Sequence, residues 1–154
     1  MITTEINATI VETLRKFKLK PRYSNEQNDL QKHIFEEIRK AVPDTYTVVR
    51  SIEGKGKPSV KALGTSFWLD VEIRDPETGG TQIAVEVKWI KPNASPAKSL
   101  EETLGQVAIY STIYDHSIAF VLHEGKYNPK QRDNDQQLIE QLAKINVELI
   151  IRRR

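Results

Sequence analysis

Apolar residues recur every three or four positions in four stretches of the chain, and this spacing predicts helices that pack one face on a core. The second stretch has its own start signal, because Ser24 followed three residues later by Gln27 forms a capping-box pattern. The four predicted helices run from Thr3 to Lys18, from Ser24 to Val42, from Ser99 to Tyr114, and from Asn134 or Asp135 to Lys144.

Five other stretches are rich in β-branched and aromatic residues, a composition typical of strands. The segment 53–64 carries three glycines and three lysines and is predicted to be a loop, whereas 75–80 is a tight-turn sequence that joins two strands into an antiparallel hairpin. The five predicted strands cover residues 46–52, 66–74, 82–90, 117–122 and 147–151.

The predicted elements follow the order ααβββαβαβ. Three strands in a meander, followed by strands that are reached through helices, indicate an α/β fold with a mixed central sheet of about five strands flanked by helices. A chain of 154 residues suits one domain, with an N-terminal helix in 1–20, a core in 24–122, and a last helix and strand in 123–154.

Composition narrows the functional classes. The chain has no cysteine, which removes disulfides and thiolate metal sites, and it has no apolar run long enough for a membrane span, so a cytoplasmic protein is expected. The net charge is only +2, but basic residues cluster at 15–22, in the loop 53–64 and at 152–154. Each cluster by itself is also expected on an ordinary solvated surface, and the last cluster is expected in a frayed C-terminal tail.

Charged residues occupy one face of two neighbouring predicted strands. Side chains alternate along a strand, so Glu86 and Lys88 point the same way from an apolar segment, and the preceding strand can bring Asp70 beside them. In that preceding strand, alternation predicts that one face carries Phe67, Leu69, Val71 and Ile73, and the other Trp68, Asp70, Glu72 and Arg74.

Two carboxylates that strand pairing brings together form an oxygen site suited to Mg²⁺ or Mn²⁺. Such an ion polarises a phosphate ester and activates water, and a lysine beside it stabilises the negative charge that develops. A Glu-x-Lys triplet alone is common and fits an ordinary surface ion pair, so the interpretation depends on the apolar strand and the facing aspartate.

The stretches Trp68-Leu69-Asp70-Val71 and Ala84-Val85-Glu86-Val87-Lys88 resemble the signature of the PD-(D/E)XK nuclease superfamily, which includes restriction enzymes, archaeal Holliday-junction resolvases and RecB-type nucleases. The resemblance covers about residues 24–122, and it implies a restriction-endonuclease-like core of helix, three strands, helix and strand. Leu69 stands where the name-giving proline would precede the aspartate.

The resemblance also implies roles for individual residues. Asp70, Glu86 and the carbonyl of Val87 would hold Mg²⁺ or Mn²⁺, and Lys88 would contact the phosphate and the attacking water. A glutamate of the first core helix would complete the site. Glu26 is the chosen residue because Leu30 and Ile34 follow it at helical spacing, and Glu36 and Glu37 are its rivals.

Residues outside this centre are expected to hold the substrate. Gln106 and Tyr110 resemble the Q-x-x-x-Y motif of RecB-type nucleases, which lines the cleft, although a polar stripe on an amphipathic helix fits the same spacing. Arg50 and the loop lysines Lys55, Lys57 and Lys61 are predicted to contact the DNA backbone.

The expected function is therefore metal-dependent hydrolysis of phosphodiester bonds in DNA. The sequence leaves open whether the chain acts as a monomer, as a homodimer or as a component of a larger nuclease assembly. The alternative is a nucleic-acid-binding or assembly module that has the same fold without catalysis.

Overall fold

The computed structural model describes residues 3–51, 60–62, 64–126 and 129–154. Four α-helices lie within these ranges, α1 Thr3–Lys16, α2 Lys32–Ala41, α3 Pro96–Ser111 and α4 Pro129–Ala143, and a π-helical turn, Glu26–Gln31, leads directly into α2. The strands in the same ranges are β1 Thr47–Arg50, β2 Val60–Ala62, β3 Thr65–Phe67, β4 Val71–Arg74, β5 Thr81–Ile90, β6 His116–His123 and β7 Val147–Arg153.

The central sheet has five strands in the order β1-β4-β5-β6-β7. β1, β4 and β5 form an antiparallel meander, whereas β6 lies parallel to β5 and β7 parallel to β6. The prediction of an α/β fold with a mixed five-stranded sheet is confirmed. β2 and β3 form a separate two-stranded sheet from part of the predicted 53–64 loop and from the start of the predicted second strand.

Helices cover both faces of the sheet and divide the core into two layers. α1 and α2 bury Ile10 and Ile34 against Val85 and Phe120 on one face, and α3 buries Val107 on the other. β6 is buried along both faces, which explains its continuous apolar sequence. No helix in the described part of the chain is both long and apolar enough to cross a membrane.

The predicted second strand, 66–74, is interrupted at Asp70. Residues 68–70 are not in a strand, and Asp70 occupies a bend. Leu69 therefore packs in the α3 layer of the core, whereas Val71 and Ile73 pack in the α1–α2 layer. The predicted alternation of side chains through this segment is wrong, because the bend changes the face on which the chain continues.

The helix that leads to the cleft begins with an i→i+5 hydrogen bond, from Leu30 N to the carbonyl of Asn25 at 3.1 Å. The N-cap is Asn25, whose side chain accepts from Asn28 N, and not the predicted Ser24. Ser24 instead donates its backbone N–H to the carboxylate of Asp29. The periodicity of 3.6 residues predicted an ordinary helix here and missed the wider turn.

The starts of α3 and α4 also differ from the prediction. α3 begins at Pro96, with Ser95 as an N-cap that makes no side-chain capping bond, so Ser99 does not cap it. Proline needs no hydrogen-bond acceptor in the first turn and favours this start. α4 begins at Pro129, so most of the segment 128–133 is helix and the predicted loop there is wrong.

The arginines at 152–154 do not form a frayed tail. Arg152 and Arg153 belong to β7, and the guanidinium of Arg152 donates to the carbonyls of Leu14, at 3.0 Å, and Phe17, at 2.9 Å. Carbonyls at the end of a helix lack partners within the helix, so Arg152 caps the end of α1. Arg153 pairs with Asp135 of α4.

We expect Arg152→Met to lower the free energy of unfolding by about 1–3 kcal/mol, because two carbonyls lose a charged donor while the apolar stem is kept. Urea denaturation measures the change. Lys16→Met is the matched control, since Lys16 is an exposed cation in the last turn of the same helix, where a change within about 0.5 kcal/mol is expected. Equal effects of the two substitutions would contradict the capping role.

Candidate functional site

A cleft of about 410 Å³ opens beside the start of β4, where β5 continues past its antiparallel neighbour. The last pair between these strands joins Val71 to Val85, whereas β5 extends to Ile90. Beyond this pair, the antiparallel side of β5 has no neighbouring strand among the described residues. The cleft is lined by Glu26, Phe67, Asp70, Glu86, Val87, Lys88, Glu102, Thr103 and Gln106.

Two carboxylates take the place of the missing strand. The N–H of Val87 donates to Asp70 Oδ2 and the N–H of Trp89 to Glu26 Oε2, both at 2.7 Å. A buried backbone N–H without an acceptor is costly, so each of these bonds stabilises the edge and also fixes a carboxylate in the cleft. The bend at Asp70 and the π-helical turn at Glu26 are thereby tied to β5.

Asp70, which is half-buried, and Glu86, which is buried, form a pair of adjacent acids. Burial raises the pKa of Asp70 to about 7, and the charge of Glu26 adds to this effect, against the N–H of Val87 and the charge of Lys88. Burial also raises the pKa of Glu86 well above its usual range, and the charge of Asp70 and a hydrogen bond between the two side chains raise it further. Two adjacent carboxylates that resist ionisation share a proton near neutral pH.

Lys88 is the cation of the cleft, as alternation along β5 predicted. Its ammonium lies 3.9 Å from Glu26 Oε2, and its side chain is 28% exposed. It lowers the pKa values of both acids, although burial outweighs it. A partly exposed ammonium above a carboxylate pair is placed to meet an anion that enters from solvent.

The two acids fit a divalent cation. Glu86 Oε2 is buried without a hydrogen-bond partner among the described residues, which leaves an oxygen free for a ligand. Within the same residues, no group of three or more His, Cys, Asp or Glu side chains is close enough to hold a metal ion. Glu26 lines the same cleft, and its charge raises the pKa of both acids.

A third ligand can come from the backbone, as the resemblance implied. Val87 lines the cleft and donates its N–H toward Asp70. Along an antiparallel edge, the N–H and carbonyl of one residue point to the same side. The carbonyl of Val87 is thus directed to the open edge that holds Asp70, where it can add an uncharged oxygen to the two carboxylates.

The structure separates the two residues of the Q-x-x-x-Y resemblance. Gln106 lines the cleft, but Tyr110 is fully buried in the α3 layer of the core, so the expectation that both line the cleft is wrong. The sheet covers the helix one turn beyond Gln106. Glu102, four residues before Gln106, lines the cleft and was missed, although the same i, i+4 spacing indicates a shared face.

Gln31 is the other residue that sequence reasoning missed. Its amide nitrogen donates to the carbonyls of Asp70, at 2.9 Å, and Ser51, at 3.2 Å, and the side chain is buried. Gln31 thus joins the π-helical turn to the bend that carries Asp70. The signal available in the sequence was a glutamine beside Leu30, on the apolar side of the helix.

Neither Arg50 nor Lys61 lines the cleft, and the other two predicted DNA contacts lie outside the described residues. Arg50 donates to the carbonyl of Gln27 and ties β1 to the π-helical turn. Lys61 is exposed on β2, and Lys55 and Lys57 fall outside the described residues. Of the rival helix acids, Glu36 is exposed and Glu37 lies beside His33 and Lys40, and neither lines the cleft.

Comparison with protein families, with curated proteins and with solved structures found no match for this chain.

The raised pKa values predict how stability depends on pH. The folded state binds a proton on the Asp70–Glu86 pair more tightly than the unfolded chain does, so this proton stabilises the fold. The stabilisation is complete below pH 3.8, the ordinary pKa of aspartate. It is lost as the pH rises through about 7, the pKa of Asp70 in the folded protein. The melting temperature of the metal-free protein should fall by about 5 °C or more between pH 5 and pH 8.

Divalent metal should reverse this loss. Mn²⁺ should raise the melting temperature at pH 8 and have little effect at pH 5, because protons and metal compete for the same oxygens. Asp70→Asn should flatten the pH dependence, whereas Glu36→Gln, at an exposed acid, should leave it unchanged. A melting temperature that rises from pH 5 to pH 8 without metal would contradict the shared proton.

Gln31→Leu should displace Asp70 as well as lower stability. The substitution keeps the size of the side chain but removes the donor to two carbonyls, so we expect a loss of about 1–3 kcal/mol. If the bend moves, the N–H of Val87 loses its acceptor, and its hydrogen exchange should accelerate more than that of other β5 amides. Uniform acceleration along β5 would show that Gln31 supports the fold without positioning Asp70.

Proposed function

We propose that this chain is a nuclease with a restriction-endonuclease-like core, which hydrolyses phosphodiester bonds in DNA with the help of Mg²⁺ or Mn²⁺. The observation that carries the proposal is the convergence of Asp70, Glu86 and Lys88 in one cleft, where the two acids are joined by a hydrogen bond. The order of helices and strands around the cleft and the mixed sheet agree with this class.

The two acids would hold the cation. Burial disfavours the ionised form of each acid, and their negative charges repel each other. A divalent ion bound between them removes this repulsion. When bound, the ion polarises the phosphate and activates water.

Lys88 would bind the phosphate. Its ammonium can contact a non-bridging oxygen, where negative charge grows as water attacks phosphorus, and Glu26 holds it within 3.9 Å in that position. Glu26 is thus a positioning residue, since its carboxylate engages Trp89 N–H and Lys88. Gln106 lines the wall that α3 contributes and can hydrogen-bond the sugar-phosphate chain.

The proposal is tested by incubating the protein with linear, circular, branched and single-stranded DNA in Mg²⁺, Mn²⁺ or EDTA. Asp70→Asn and Lys88→Ala should each reduce cleavage on the order of 10² or more, because each removes a charge placed for the transition state. Calorimetry should separate them, since Asp70→Asn weakens Mn²⁺ binding, whereas Lys88→Ala leaves it equal or tighter.

Glu72→Gln is the matched control. Glu72 is also a buried acid of the sheet, but it pairs with Arg74 and Thr81 and does not line the cleft, so this variant should bind Mn²⁺ and cleave like the wild type. Nucleic-acid binding without cleavage of any substrate would favour the non-catalytic module. Cleavage that survives in both site variants would assign the activity to another protein in the preparation.

A further inference from the structure

Three segments far apart in the sequence meet beside the cleft and alternate cations with aromatic rings. They are the chain after α1, the end of β5 and the end of β7. Lys91 Nζ lies 4.8 Å from the centre of the Trp89 ring, and the Arg154 guanidinium lies 5.3 Å from that of Tyr23. We call the surface formed by Lys20, Tyr23, Trp89, Lys91 and Arg154 the carboxyl-edge patch.

The patch lies at the carboxyl ends of the parallel strands. β5 pairs with β4 on one side in antiparallel fashion and with β6 on the other in parallel fashion, so the direction of the sheet changes there. Ligands of open α/β sheets bind outside the carboxyl ends of the parallel strands. Arg154 follows β7 directly and Lys91 follows β5.

The patch adjoins the cleft through Glu26. Trp89 donates its backbone N–H to Glu26, which lines the cleft, while its ring lies 6.4 Å from that of Tyr23. Lys88 and Lys91 are three residues apart on extended chain, a distance of about 10 Å. Lys88 points to the α3 side of β5, whereas Trp89 and Lys91 lie on the α1–α2 side. A polymer whose phosphate lies at Lys88 reaches Lys91 by passing around the carboxyl end of β5.

Acids pair with two of the three cations of the patch, and the third, Lys91, has no acid partner among the described residues. Glu124 accepts from the Trp89 indole N–H, at 3.0 Å, and from Arg154, at 2.6 Å, and so holds both groups in place. Lys20 is balanced by Asp29. Lys91 is exposed with its ammonium over the Trp89 ring, and the exposed cations Lys18 and Arg22 lie in the same segment as Lys20.

We propose that the carboxyl-edge patch binds the unpaired nucleic-acid strand that leaves the cleft. The identity of this ligand rests on the proposed function. Lys91 and Arg154 contact its phosphates, and a base packs against the ring of Trp89 once the flexible Lys91 side chain turns from the ring to a phosphate. Alternation of cations and aromatic rings suits a single strand, whose bases expose faces that a duplex keeps stacked.

Trp89 reports on this binding directly. The chain has two tryptophans, so Trp68→Phe leaves Trp89 as the single fluorescent indole. This variant, with Asp70→Asn added to prevent cleavage, is titrated with oligodeoxythymidines of about 4 and about 16 nucleotides and with a blunt duplex. The longer single strand should quench the Trp89 emission and bind more tightly than the shorter one and the duplex.

Lys91→Glu should weaken binding of the longer strand about tenfold and reduce the slope of log affinity against log salt by about 0.7 for each phosphate that the protein no longer neutralises. Lys40→Glu is the control with the same change of charge. Lys40 is an exposed residue in the last turn of α2, about 20 Å along the helix from Glu26. Arg154→Ala provides a second variant within the patch and should also weaken binding.

Failure of the patch and failure of the proposed function give different results. In the chain with its native Asp70, Lys91→Glu should cleave bis(p-nitrophenyl) phosphate, which is too small to reach the patch, as fast as the wild type. If the wild type cleaves DNA but Lys91→Glu and Lys40→Glu have equal affinities and an equal dependence of affinity on salt, strand binding at the patch is refuted and the proposed nuclease activity is kept. If nothing is cleaved but the quenching and the Lys91 dependence hold, the nuclease fails and the patch stands.

Discussion

β5 pairs with β4 only as far as Val85, and the N–H groups of Val87 and Trp89 beyond that point have no strand among the described residues to accept them. Asp70 and Glu26 supply the acceptors. The same hydrogen bonds that complete the edge of the sheet therefore deliver two acids to one cleft. The bend at Asp70, the π-helical turn and the amide of Gln31 all serve to bring these acceptors to the edge.

This arrangement lowers the stability of the fold at neutral pH but suits the binding of a cation. Carboxylates that only completed the sheet edge would be most stable with no further charge nearby, yet Glu86 is buried beside Asp70. The repulsion is relieved by a proton at low pH and can be relieved by a cation at higher pH. A positive charge, whether a proton or the proposed cation, therefore stabilises this site near neutral pH.

Much of this fold follows from the sequence, and the exceptions have local causes. The period of two along β5 correctly placed Glu86 and Lys88 on one face, because β5 is regular and buried. The same rule failed at Leu69, because it assumes a continuous strand and the chain bends at Asp70. A helical period of 3.6 residues could not indicate an i→i+5 turn, and Tyr110 was misplaced because helix spacing alone does not say where the sheet begins to cover α3.

The π-helical turn gives the position of Glu26 an all-or-none character. In an α-helix, residues five apart differ by about 140° around the axis, so Glu26 and Gln31 could not both face the sheet edge. The wider turn lets them do so while Ile34 and Ile38 keep α2 in register with the core. Helical hydrogen bonding shifts by whole residues, so removal of one residue from this turn would rotate Glu26 by about 100° and leave the packing of α2 unchanged. The position of Glu26 therefore depends on one particular hydrogen-bond register of the helix, and it changes only in steps of one whole residue.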